Sequence, residues 1–160
     1  MLPAGSGRAN ECDLLMVDHE GTKPYCAGAT GRLTADDVAH AAAVLTQTQL
    51  LLVQFEAPLS TVLHAIALAH RFGRPVFLDT APAVSVPEDI WGQVYLVRAN
   101  AREASIHTGI EVRDANTARQ AAKRFFAWGV RVVAIQAGSE ENVLMWHGGE
   151  VFLPVVRSKS

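Results

Sequence analysis

Asn100 and Glu103 have the residue types and spacing in this chain best suited to chemistry. They follow an apolar run of strand length, Val94-Tyr95-Leu96-Val97, and then Arg98-Ala99, where the chain turns polar at Arg98. A short helical pattern then runs to Gly109. A strand that ends in Asn and enters a helix with Glu in its first turn has the layout of a strand-end site, because α/β proteins bind ligands beyond the carboxyl ends of their strands. The same pair has a structural use. An Asn oxygen at a helix start accepts an orphan N–H two or three residues on, and Glu at that spacing reaches back to the Asn N–H. Capping is the commoner outcome of this motif taken alone, so both readings stay open.

Other candidates come with equally plain alternatives. Glu56 stands just past a strand and before Pro58. A carboxylate there can accept from two hydroxyls of a sugar, or complement the dipole of the helix that follows. Asp79-Thr80-Ala81-Pro82 reads as a loop shaped by proline, and no catalytic role is assigned to Asp79. His19 is a lone turn histidine, and His64 and His70 lie six apart rather than at the i, i+4 spacing of a metal pair. Trp91, Trp128 and Trp146 are widely separated without basic residues between them, which fits packing better than a stacking platform. Neither a Gly-x-Gly-x-x-Gly turn nor a Gly-x4-Gly-Lys-Ser/Thr loop occurs.

The elements that must position these residues follow from periodicity. Residues 13–17 and 22–27 read as a hairpin around Asp18-His19-Glu20-Gly21. Thr34 with Asp37 is close to a capping box, and Val38, Ala41, Ala42 and Leu45 repeat at helical spacing behind it. Strands are expected at 49–55, 75–78, 94–97 and 130–135, with helices at 58–72 and 114–128, the first ending at Gly73 and the second at Gly129. Such alternation predicts an α/β fold with a mainly parallel sheet and helices on both faces, a Rossmann-like three-layer arrangement. Residues 143–147 and 150–156 read as a hairpin with a Gly148-Gly149 turn.

The chain has 160 residues, 49% hydrophobic and 19% charged, with a formal net charge of −2, which fits a globular core and gives no basic footprint for nucleic acid. Cys12 and Cys26 are expected as reduced thiols in a cytoplasmic protein. Nothing at the start reads as a signal peptide, and no apolar run approaches the ~20 residues that cross a bilayer, so no membrane partner is expected.

Taken together, the run Gln54-Phe55-Glu56-Ala57-Pro58-Leu59, then Leu78-Asp79-Thr80-Ala81-Pro82-Ala83, then Asn100 with Glu103, and Ile110 before a long helix, resemble the ribokinase-like (PfkB-type) carbohydrate kinases, ribokinase above all, in order and spacing. The resemblance runs from about residue 14 to 154. It implies a partial β lid hairpin and connector at 1–31 and a ribokinase-like α/β core at 32–160. It also implies ATP-dependent phosphorylation of a sugar hydroxyl, that of ribose, with Mg2+ carried by ATP. Glu56 would hold the sugar. Asn100, Glu103, Gln136, Gly138, Ser139, Glu140 and Glu141 would face the nucleotide, with Glu103 reaching Mg2+ indirectly.

Where the family reads Thr-Leu-Gly-x-x-Gly, this chain has Gln136 for the Thr and Glu141 for the second Gly. The family's Gly-Gly-Lys-Gly-Ala-Asn and Gly-Ala-Gly-Asp motifs do not occur in these 160 residues. The chain is therefore expected to be the central portion of a sugar kinase, truncated at its C-terminal end. No catalytic base is assigned, and the isolated polypeptide is expected to be inactive. The alternative is a non-catalytic small-molecule-binding or scaffold remnant of a sugar kinase. Ribokinases pair through their lid strands, so a homodimer through the partial lid is a further expectation, with an exposed edge at 13–27.

Overall fold

The computed structural model describes residues 28–137 and 141–154. The expected lid hairpin, with His19 and both cysteines, lies outside the described residues. So do Gly138, Ser139 and Glu140.

Local signals set most boundaries. Thr34 and Asp37 form a complete capping box, Asp37 N donating to Thr34 Oγ1 at 3.2 Å and Thr34 N to the Asp37 carboxylate at 2.9 Å. It starts α1 (Ala35–His40), whose expected continuation is interrupted at Ala41 before α2 (Ala42–Gln47). After β1 (Leu51–Gln54), Pro58 opens α3 (Leu59–Arg71). That helix closes on Gly73, which at φ +66° holds a left-handed position costly to other residues. Then come β2 (Val76–Asp79), a 3-10 helix (Glu88–Gln93), β3 (Leu96–Asn100), α4 (Ala101–Thr108) and α5 (Ala115–Ala127). The chain finishes with β4 (Val132–Ala137), β5 (Glu141–Trp146) and β6 (Gly149–Pro154).

The final hairpin differs from expectation by one residue. Trp146 pairs with Gly149, so the turn is His147-Gly148, with Gly148 at φ +102°. Gly149 opens the strand by pairing with Trp146, whose indole lies across it, 2.6 Å from where a Cβ would stand.

The six strands lie in chain order, β1 to β4 parallel and β5 and β6 antiparallel. The α/β class and mainly parallel sheet are as expected. The cover of both faces is not what the described residues show. Right-handed crossovers between strands that follow one another in order carry every connection to the same side. On that side Val76, Leu78, Val97, Ala99, Val133, Ile135 and Val143 are buried in one core with Val62 and Ile66 of α3 and Ala118, Ala121 and Phe125 of α5. Trp91 of the 3-10 helix sits in the same core, edge-on to Phe125 at 5.0 Å and stacked on Trp128 at 6.0 Å.

The register places a different set of side chains on the other face. One row reads Leu52, Phe77, Leu96, Val132, Trp146. Leu52 is 71% exposed and Trp146 40%. No described helix is long and apolar enough to cross a membrane.

Candidate functional site

Toward the carboxyl ends of the parallel strands this open face turns polar. Gln54, Asp79 and Arg98 are cross-strand neighbours in one row, and Asn100, Gln136 and Asn142 in the next. Asp79 and Arg98 form an ion pair at 3.4 Å, partly exposed and so of small energetic weight. Ala81 N donates to Asp79 Oδ1 at 3.2 Å, and Phe55 N to Ala81 O at 3.0 Å, tying the loop after β2 to the end of β1. Glu56 lies half-buried in the turn between β1 and α3. With β2 between them, the ends of β1 and β3 are separated by two strand spacings, about 10 Å.

Asn100 and Glu103 form the capping box that their spacing allows. Asn100 ends β3 and caps α4. Its Oδ1 accepts from Glu103 N at 2.9 Å, its own N donates to Glu103 Oε2 at 2.9 Å, and its Nδ2 donates to Glu103 Oε1 at 2.7 Å. A fourth bond arrives from another element: Thr80 Oγ1, just past β2, donates to Glu103 Oε2 at 3.1 Å.

Glu103 is 6% exposed and Thr80 fully buried. Among the described residues Glu103 has no ion-pair partner; its carboxylate is held by three neutral donors and the amino end of α4. Three of about four acceptor positions are filled, leaving one on Oε1. Among the described residues no cluster of three or more His, Cys, Asp and Glu could cage a metal ion. A site of this kind would share a hard cation with an anionic ligand and not enclose it.

In the last turn of α4, His107 packs against Trp91 at 5.1 Å and Phe55 at 6.1 Å. Burial lowers its pKa from 6.5 to about 4, and its Nε2 has no hydrogen-bond partner. It stays neutral near pH 7, packed against the aromatic part of the core.

Two expected site residues are placed differently from their sequence reading. Gln136 was expected in the loop after a strand ending at 135. It is a residue of β4, paired with Asn100 and Asn142, because the antiparallel hairpin extends the ladder to Ala137. Glu141, expected in the same loop, opens β5 opposite Ala137. Sequence reasoning passed over Thr80 as a participant. Its partner lies 23 residues away, across a register that no local pattern announces.

Comparison with known proteins gives a consistent picture. Residues 9–160 match the family described as pfkB family carbohydrate kinase. The ribokinase of Haemophilus influenzae is 34% identical over 113 residues, covering 71% of this chain and 37% of that protein. The ribokinase of Mus musculus is 31% identical over 137 residues, covering 82% of this chain and 42% of that protein. Arabidopsis thaliana ribokinase, solved with ribose and ATP, superposes with a TM-score of 0.73 at 20% identity over 91% of this chain and 48% of that one. The chain thus spans about two-fifths of the length of these two curated relatives.

Proposed function

The chain belongs to the pfkB family of carbohydrate kinases, and from that premise we propose that it serves ATP-dependent phosphorylation of a sugar hydroxyl, with ribose as the sugar. The observation that carries the reading is the buried carboxylate of Glu103, without a counter-cation among the described residues and hydrogen-bonded to Asn100, which is itself the cross-strand neighbour of Gln136 at the strand ends. Mg2+ bound to ATP would supply the missing positive charge. It fits as a cation held mainly by phosphates, with the remaining Oε1 position of Glu103 reaching it through water. Mg2+ there would neutralise phosphate charge in the transfer.

The chain's own groups then divide the work. Asn100 has one amide N–H beyond its bond to Glu103, and Gln136 is beside it, so both can donate to phosphate oxygens. Gly138, Ser139, Glu140 and Glu141 complete the nucleotide side of this reading. Glu56, two strand spacings away, accepts from sugar hydroxyls. The same reading carries a cytoplasmic location and a homodimer paired through residues 13–27.

Transfer needs a base or orienter at the sugar hydroxyl and donors around the migrating phosphoryl group, each worth roughly 10²- to 10⁴-fold. These 160 residues contain no Gly-Ala-Gly-Asp run to supply them. The polypeptide by itself therefore binds and does not turn over. A second reading, a non-catalytic scaffold derived from a sugar kinase, is favoured by the closed capping box, which accounts for Asn100 and Glu103 without any ligand.

Calorimetric titration of the 160-residue chain with Mg-ATP, and separately with ribose, tests the proposal. Saturable Mg-ATP binding that weakens on Glu103→Gln supports it. A folded chain that takes up neither ligand favours the scaffold.

A further inference from the structure

We infer that Thr80 is a positioning residue for the Mg-nucleotide site: its buried hydroxyl fixes the Glu103 carboxylate and, through it, the Asn100 amide. This rests on the nucleotide reading above. Without Thr80, all donors to the carboxylate come from Asn100, three residues away on the same strand-to-helix junction. Such a box can turn as a unit with α4. Thr80 ties it to a second element, the end of β2.

The direction of the Thr80 bond follows from its neighbours. Thr80 Oγ1 lies 3.1 Å from Glu103 Oε2 and 3.2 Å from Arg98 O, and a hydroxyl has one proton. Arg98 O already receives Thr80 N at 3.0 Å, and a carboxylate is the stronger acceptor. The proton therefore goes to Glu103. Oε2 then accepts from two elements at once, which sets the carboxylate plane and leaves the open acceptor position on Oε1. That face in turn holds Asn100 Nδ2. The hydroxyl is fully buried and touches no solvent, so its influence on a ligand has to pass through Glu103.

Thr80→Val keeps the shape and removes the donor, Thr80→Ser keeps the donor, and Thr80→Ala is the fallback if the valine variant does not fold. Each 160-residue variant is titrated with ATP in Mg2+ and with ATP in a chelator. The Asn100 side-chain amide is also followed by NMR without ligand. The expected result is about a tenfold loss of Mg-ATP affinity in Thr80→Val, in the range seen for groups that orient metal ligands. Metal-free ATP affinity should change less than about twofold, Thr80→Ser should retain Mg-ATP affinity, and the Asn100 amide resonances should shift in Thr80→Val alone.

Folded valine or alanine variants that bind Mg-ATP as the parent does overturn the inference. Equal losses in the valine and serine variants also overturn it, since packing would then be the cause. Failure of the parent chain to bind Mg-ATP instead sinks the nucleotide reading, and this inference with it.

Discussion

Asn100 and Gln136, 36 positions apart in sequence, are paired neighbours on β3 and β4, and both lie on the sheet face that the described helices leave open. That pairing brings an Asn-x-x-Glu capping box and the strand before the 138–140 segment to one edge. The polar corner continues through Asp79, Arg98 and Gln54 on the adjoining strands.

Glu103, not Asn100, is the hub of the buried network. Glu103→Ala leaves Asn100 N and Asn100 Nδ2 without their acceptor and Thr80 Oγ1 with only the Arg98 carbonyl, and should cost at least about 2 kcal/mol. Asn100→Ala removes a cap and should cost about 1 kcal/mol. Urea unfolding of the two variants gives the order directly. An Asn100 variant weaker than the Glu103 variant would contradict the assignment.

One-sided helix cover has a simple mutational signature. Leu78→Ala opens a cavity in a fully buried position and should cost about 2–5 kcal/mol. Leu52→Ala, at a position 71% exposed, should stay within about 0.5 kcal/mol. Chemical denaturation midpoints distinguish the pair. Comparable losses at both positions would mean that the second face is covered.

Gly129 marks close approach of the turn after α5 to the 3-10 helix. It has φ +106°, and a Cβ there would stand 3.1 Å from Gly92 Cα, so the backbone of the 3-10 helix would have to give by a few tenths of an ångström. Gly129→Ala should cost more than about 1 kcal/mol, read as a lower melting midpoint. Gly148→Ala, whose Cβ would meet nothing within 4 Å, serves as the control for backbone conformation alone.

His107 predicts a specific acid dependence. Its folded pKa is lowered to about 4 from 6.5, so between these values the unfolded chain binds a proton that the folded chain refuses. Its contribution to stability is complete above pH 6.5 and lost as pH falls toward 4. Allowing for its partial exposure, the loss should be about 1–2 kcal/mol. His107→Phe should flatten the stability profile across this window. An unchanged slope would show that other groups carry it.

The features legible in the sequence are those decided within a few residues. The Thr34–Asp37 and Asn100–Glu103 boxes and the glycine stops at Gly73 and Gly109 all have their partners one helical turn away. What lay beyond reach depends on strand order and register. Gln136 is in a strand because β5 returns alongside it, and Thr80 meets Glu103 because β2 and β3 are neighbours. The helices share one face because the strands follow chain order, which periodicity does not encode. The split of the first helix at Ala41 has no counterpart in its sequence pattern.

The most direct test of the central claim is a thermal unfolding scan of the 160-residue chain alone, with excess Mg-ATP and with ribose, beside Asn100→Ala. At a hundredfold excess over its dissociation constant a ligand adds about 2.7 kcal/mol, or roughly 5–10 °C for a domain of this size. The account predicts a cooperative melt that rises by this order with Mg-ATP, with most of the rise lost in Asn100→Ala. A cooperative melt that neither Mg-ATP nor ribose moves would contradict it.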